Sequence, residues 1–246
     1  MPTIEREGAT LHFAERGSGP AVILQHALSA DARSWDAIGV ADALVAQGFR
    51  VILPDALGHG RSGPADPGRV DLDSRVRDLI AVAEALGLDR FHYAGYSMGG
   101  WIGIGLLRDA PKRLLSLSIT GWDPLDGARR FTKFTDMAER RGEFIDRILA
   151  LTAQTAGRSQ PDTARMAGYA DTYERLFRDL PSITTLIEHD VPIMLGVGRD
   201  DPYREPVASA ADALGIEPIE IPGDHITAFL DPVYAAALVR WIAGQR

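Results

Sequence analysis

The sequence predicts an α/β fold, with a mostly parallel central sheet flanked by helices and a helical lid insertion late in the chain. Three observations carry this. Short apolar runs alternate with stretches of helical periodicity, and a glycine-rich turn at 95–100 joins one such run to a helix. From about residue 124 to residue 186 the strand signal disappears and only helical patterning remains.

The elements follow in order. "LHFAER" (11–16) and "AVILQ" (21–25) read as strands, and a helix is expected over Ser34–Gln47, ending at Gly48. "RVILP" (50–54) is the next strand. From Ser74 to Leu86, the residues Val76, Leu79, Ile80, Ala83 and Leu86 share one helical face, and Gly87 stops it. "RFHYAG" (90–95) is the strand before the glycine-rich turn, and "LLSLSIT" (114–120) the strand after its helix. "VPIMLGV" (191–197) and "IEPIEI" (216–221) are strands around a helix expected to start at Pro206. The last helix takes Asp231 as N-cap and Pro232 at its first position, with Val239 and Ile242 on the apolar face.

Residues 1–123 and 187–246 thus form the expected core, and 124–186 the insertion. One apolar series there is Phe131, Phe134, Ile145, Ile148 and Leu149; a second is Met166, Tyr169, Tyr173, Leu176, Phe177 and Leu180. Such a segment is a natural lid over the carboxyl ends of the strands, where ligands bind in open α/β sheets. Most of these aromatics are assigned to packing and a minority to a pocket wall.

Composition excludes several classes. With 46% hydrophobic residues the 246-residue chain can bury a sizeable core, which argues against disorder. A net charge of −8 argues against nucleic acid or an anionic membrane as partner, because phosphate contacts need a basic face. No apolar run reaches membrane-spanning length, and the first twenty residues lack the basic start and apolar middle of a signal peptide. The expectation is a cytoplasmic protein. The absence of cysteine removes disulfides, thiolate nucleophiles and cysteine–zinc sites.

The chemistry concentrates in "FHYAGYSMGGWIGI" (91–104). Gly95, Gly99 and Gly100 clear the turn of side chains, so the chain can reverse sharply and lift Ser97 above the sheet. "GYSMG" fits G-x-S-x-G with a strand before it and a helix after it, the context that gives this motif its meaning.

Other segments agree with it. "LQHALSADARSWD" (24–36) is similar to an oxyanion loop, "VILPDALGHGRS" (51–62) to the loop after the next strand, "GVGRDDPYREP" (196–206) to an acid-bearing turn and "IPGDHITAFLDP" (221–232) to a histidine loop. On these the chain resembles the α/β-hydrolase superfamily along nearly its whole length, its enol-lactonase-like members included. The resemblance implies the α/β-hydrolase fold, Ser97 as nucleophile, His225 as base and Asp201 as acid, in the chain order that fold uses. It also implies an oxyanion hole from the N–H groups of Met98 and Leu28. Ala27 departs from the commoner His-Gly pair, and alanine disfavours positive φ.

The residue types suit acyl transfer. A serine hydroxyl is a weak nucleophile until an imidazole takes its proton, and a carboxylate holds that imidazole in the right tautomer. Asp123, after "SLSIT", competes with Asp201 for the acid role; Asp200 and Asp224 are poorly placed for it. His12, His92 and His189 read as packing or surface residues, His59 as a loop brace and His26 as a residue that orients backbone. No metal or cofactor is expected: the glycine loops lack a phosphate-cradling helix, and "RDD" lacks further ligands. The expected substrate is a small to medium ester or lactone, with Tyr96, Trp101 and Trp122 near it. Carbon–carbon bond hydrolysis, cofactor-free perhydrolysis and a non-catalytic ligand-binding role are the alternatives. The sequence leaves oligomeric state open.

Overall fold

A computed structural model describes residues 2–127, 143, 163–180 and 184–246. Eight strands form one sheet: β1 (Thr3–Arg6), β2 (Ala9–Arg16), β3 (Ala21–Gln25), β4 (Arg50–Pro54), β5 (Phe91–Tyr96), β6 (Leu114–Thr120), β7 (Ile193–Gly198) and β8 (Ile219–Ile221). Their order is β1-β2-β4-β3-β5-β6-β7-β8. β2 runs antiparallel to both β1 and β4; every pairing from β4 onward is parallel. The described helices are α1 (Ser34–Ala37), α2 (Val40–Ala46), α3 (Leu72–Ala85), α4 (Met98–Asp109), α5 (Thr163–Arg178), α6 (Thr184–Ile187), α7 (Arg204–Leu214), α8 (Thr227–Leu230) and α9 (Pro232–Ala243).

Alternation along the strands sorts the core into two layers. Ile23, Phe91 and Tyr93 join one cluster with residues of α3 and α4. Val22, Leu24, Ala94 and Tyr96 join the other with residues of α2 and α9. The sheet is therefore buried on both faces, as parallel strands require.

Two local departures from the expected elements have clear causes. β1 was not expected, because "TIER" is a polar edge strand with no apolar run. Glu7 and Gly8, both at positive φ (51° and 75°), make the tight turn that pairs it with β2. The helix expected over Ser34–Gln47 is two helices, because Gly39 enters the left-handed region at φ 73° and restarts the chain as α2. α7 begins at Arg204, slightly before Pro206, and Asp231 caps α9 by accepting from the Val233 N–H at 2.8 Å.

Of the segment between β6 and β7, α5 and α6 are described; Phe131, Phe134, Ile145, Ile148 and Leu149 lie outside the described residues. α5 lies against the core: Leu176 is part of the cluster around α3 and α4, with Tyr173 and Leu180 packed against it.

His92 on β5 is buried, with Nδ1 at 2.8 Å from the Ser116 hydroxyl. Burial, aided by Arg246 and Arg90, lowers its pKa to about 4. The unfolded chain therefore binds more protons than the folded one below the ordinary imidazole value near 6.5. Its contribution to stability is complete above that value and falls as the pH drops toward 4. In urea unfolding between about pH 6 and pH 4.5, His92→Asn should flatten the pH dependence by up to ~1.4 kcal/mol per pH unit. An unchanged slope would show that His92 titrates normally.

Candidate active site

The parallel strands bring a set of loops to one edge of the sheet. Leu28 follows β3, Asp55–His59 follow β4, Ser97 follows β5, Asp123 follows β6, Asp201 follows β7 and His225 follows β8. The chain order reverses around β3 and β5, and the crevice of such a sheet lies at that reversal.

Ser97 sits at φ 53°, ψ −111°, a region that costs a non-glycine residue roughly 1–3 kcal/mol. Close packing holds it there. A Cβ on Gly95 would lie 2.2 Å from the Gly99 carbonyl, and one on Gly99 would lie 2.3 Å from the Gln25 oxygen. The Ser97 N–H donates to the Thr120 carbonyl at 2.8 Å, which ties the turn to β6. α4 starts at the next residue, so its first N–H groups, Met98 included, have no acceptor within the helix.

His225 bridges two other strand ends. Its Nε2 is 3.0 Å from Ser97 Oγ and its Nδ1 is 2.8 Å from Asp201 Oδ2. Asp201 is buried, and its Oδ1 accepts from the Tyr203 N–H at 2.9 Å. Asp123 is turned to another task, its Oδ1 accepting from the N–H groups of Leu125 (2.8 Å) and Asp126 (3.1 Å). Asp224 holds the histidine loop: its Oδ1 accepts from Ile226 N–H at 3.0 Å and Thr227 N–H at 2.8 Å. These hydrogen bonds keep its carboxyl below the usual range.

The segment after β3 is pinned through its carbonyls. The Ala56 N–H donates to His26 Nε2 at 3.0 Å, which leaves the proton on Nδ1. Nδ1–H then donates to the Ala27 oxygen at 2.8 Å, and the Ala30 N–H reaches the same oxygen at 3.1 Å. In a trans peptide the N–H points opposite to the carbonyl, so this also fixes the direction of the Leu28 N–H. His59 Nε2 lies 2.7 Å from the Leu28 oxygen. Burial lowers the pKa of both imidazoles, and the Ala56 N–H requires a bare Nε2 on His26. Ala27 does not need the glycine conformation: among the described non-glycine residues only Glu7 and Ser97 have positive φ.

The three aromatics expected near substrate are packed inside. Tyr96 donates its hydroxyl to the His225 carbonyl at 2.8 Å, and Trp101 donates its indole N–H to the Asp179 carbonyl at 2.6 Å. The Trp122 ring lies tilted against Tyr203 with centroids 5.9 Å apart, and none of the three exposes more than 2% of its surface. Tyr203 itself, not anticipated from the sequence, meets the His225 ring edge-on at 5.5 Å. His12, expected to pack, holds Asp55 Oδ2 at 2.8 Å inside the loop after β4. Among the described residues no cluster of His, Asp or Glu is arranged to hold a metal ion, and no helix is long and apolar enough to cross a membrane.

Residues 20–182 match the alpha/beta hydrolase fold family, and the chain belongs to it. A protein of Azorhizobium caulinodans named as a carbamate hydrolase, RutD, is 36% identical over 131 residues, covering 53% of this chain and 48% of the relative. The chain spans about half the length of the curated relatives it matches first. Among solved structures, an esterase from Thermogutta terrifontis has a TM-score of 0.80 at 24% identity, covering 99% of this chain and 97% of its own. The enol-lactonase of Burkholderia xenovorans LB400 has a TM-score of 0.75 at 22% identity, covering 99% of both chains.

The Tyr96 hydroxyl ties the residue before Ser97 to the loop that carries His225. Tyr96→Phe should lower the urea-unfolding free energy by about 1 kcal/mol, the usual net worth of one such bond. No loss would show that the bond is not formed in solution.

Proposed function

We propose that the protein is a serine hydrolase that transfers the acyl group of a small to medium carboxylic ester or lactone to water. The observation that carries this is the single imidazole lying 3.0 Å from Ser97 Oγ and 2.8 Å from Asp201 Oδ2. Ser97 attacks the carbonyl carbon while His225 Nε2 takes its proton. Asp201 holds the proton on Nδ1 and stabilises the imidazolium. The N–H groups of Met98 and Leu28 receive the negative charge that develops on the carbonyl oxygen. His225 then returns its proton to the departing alcohol oxygen, leaving an acyl-enzyme. Water, activated by the same imidazole, releases the acid.

The esterase and lactonase among the structural neighbours support the fold on which this chemistry runs. The relative named as a carbamate hydrolase widens the substrate panel, because a carbamate carbonyl is open to the same attack. No cofactor is needed for any of these steps, and we assign no substrate contact to Tyr96, Trp101 or Trp122.

Hydrolysis of graded p-nitrophenyl esters, lactones and aryl carbamates tests the proposal. Ser97→Ala should remove turnover by on the order of 10⁶ in kcat. Asp201→Asn should leave the fold intact and cost roughly 10⁴, because the wrong tautomer of His225 is then held. Asp123→Asn should cost far less than Asp201→Asn. Turnover that survives in Ser97→Ala, or the reverse ranking of the two aspartates, would overturn these assignments.

A further inference from the structure

Arg75 on α3 is an arginine in the protein interior, 2% exposed, with no carboxylate within ion-pair distance among the described residues. Burial brings its pKa down to about 10, so the guanidinium remains charged at neutral pH. Burying such a group is costly, and the hydrogen bonds it makes have to compensate. Two of its nitrogens serve two different segments. Nη1 donates to the Leu57 carbonyl at 2.6 Å, in the loop after β4; Nη2 donates to the Thr172 hydroxyl at 2.7 Å, on α5. Thr172 can accept because its own proton goes to the Gly168 carbonyl at 2.8 Å.

The Leu57 carbonyl lies at the centre of the loop that fixes Leu28. His59 Nδ1 faces that carbonyl at 3.2 Å while Nε2 faces the Leu28 oxygen at 2.7 Å. In a neutral ring the shorter contact, at Nε2, takes the proton. Nδ1 of that tautomer has no proton to give the Leu57 oxygen, and the Arg75 Nη1–H supplies one at 2.6 Å. The ends of the loop have other braces: Asp55 accepts from the N–H groups of Ala32 (2.8 Å) and Arg61 (3.0 Å). Arg75 supplies the brace in the middle, and its second arm rests on α5.

A second contact couples the same two segments. α5 approaches the loop so closely that a Cβ on Gly168 would lie 2.7 Å from the Ala65 Cβ. We infer that Arg75 and Thr172 are positioning residues through which the seating of α5 on the core sets the Leu28 N–H, so that the oxyanion site is complete only while that helix is docked. This rests on Ser97 as nucleophile and Leu28 N–H as oxyanion donor. It extends that assignment by making the inserted helix part of transition-state stabilisation.

The test uses p-nitrophenyl ester turnover by the full chain, with inhibition by an aryl trifluoromethyl ketone, whose hemiketal oxyanion occupies the same donors. Thr172→Val removes the acceptor with little change of shape, and Gly168→Ala pushes α5 off the loop without touching Arg75. Both should lower kcat by roughly tenfold, with KM within about twofold, and raise the ketone's Ki by a similar factor, because a donor that matters in the transition state is displaced. Thr172→Ser, which keeps the hydroxyl, should stay close to wild type. Both variants folded by circular dichroism with unchanged kcat, a loss confined to KM, or a fall in kcat without a rise in Ki would each overturn the inference. Ser97→Ala and fluorophosphonate labelling, measured alongside, separate the two claims. If Ser97 is not labelled or not needed, the functional assignment itself fails, whatever Thr172 does.

Discussion

The structure depends on one imidazole held between two strand ends. His225 reaches Ser97 with one nitrogen and Asp201 with the other, at 3.0 Å and 2.8 Å, although the three residues follow β5, β7 and β8. A parallel sheet makes this possible, since its strands all end on the same edge. Closeness alone would not suffice, because a chain turning at an ordinary dihedral would bury the serine. The strained φ of Ser97 lifts it, and glycines at 95 and 99 give the turn room to pack against Gln25 and α4. The backbone strain and the tight packing are therefore two parts of one device.

Around that line, almost every polar contact orients a backbone group. Burial lowers the pKa of His26 and His59, and a neutral imidazole presents one donor and one acceptor in set directions. Asp224 spends its carboxylate on the turn that carries His225, and Tyr96 spends its hydroxyl on the His225 carbonyl. Such contacts fix geometry in advance, as the proposed stabilisation of an oxyanion requires. Arg75 extends the same pattern outward, from the loop after β4 to α5.

Much of this was legible in the sequence, and the exceptions follow a pattern. The buried strands announced themselves because a sheet covered on both faces needs continuous apolar runs, as in "AVILQ" and the "VILP" of β4. β1 did not, because an edge strand with alternating exposure leaves no such run. Ser97, His225 and Asp201 sit in turns whose glycines and flanking elements mark them. Tyr96, Trp101 and Trp122 were expected near substrate from their places along the chain, and such places do not set which way a side chain faces. On β5 the residue before the turn points into a core layer, and on α4 the fourth residue after Ser97 points toward α5. Arg75 did carry a signal. It shares the helical face of Leu72, Val76 and Leu79, where an arginine is out of place unless it holds something.

The proposed reaction requires Ser97 to become covalently acylated during turnover. Mass spectrometry of the enzyme, acid-quenched while it hydrolyses an ester with a slow deacylation step, measures this directly. The substrate's acyl mass should be found on the peptide containing residues 91–107, localised to Ser97, and should disappear as substrate is exhausted. An adduct on another residue, or turnover of the same ester with no covalent species at any time point, would contradict it.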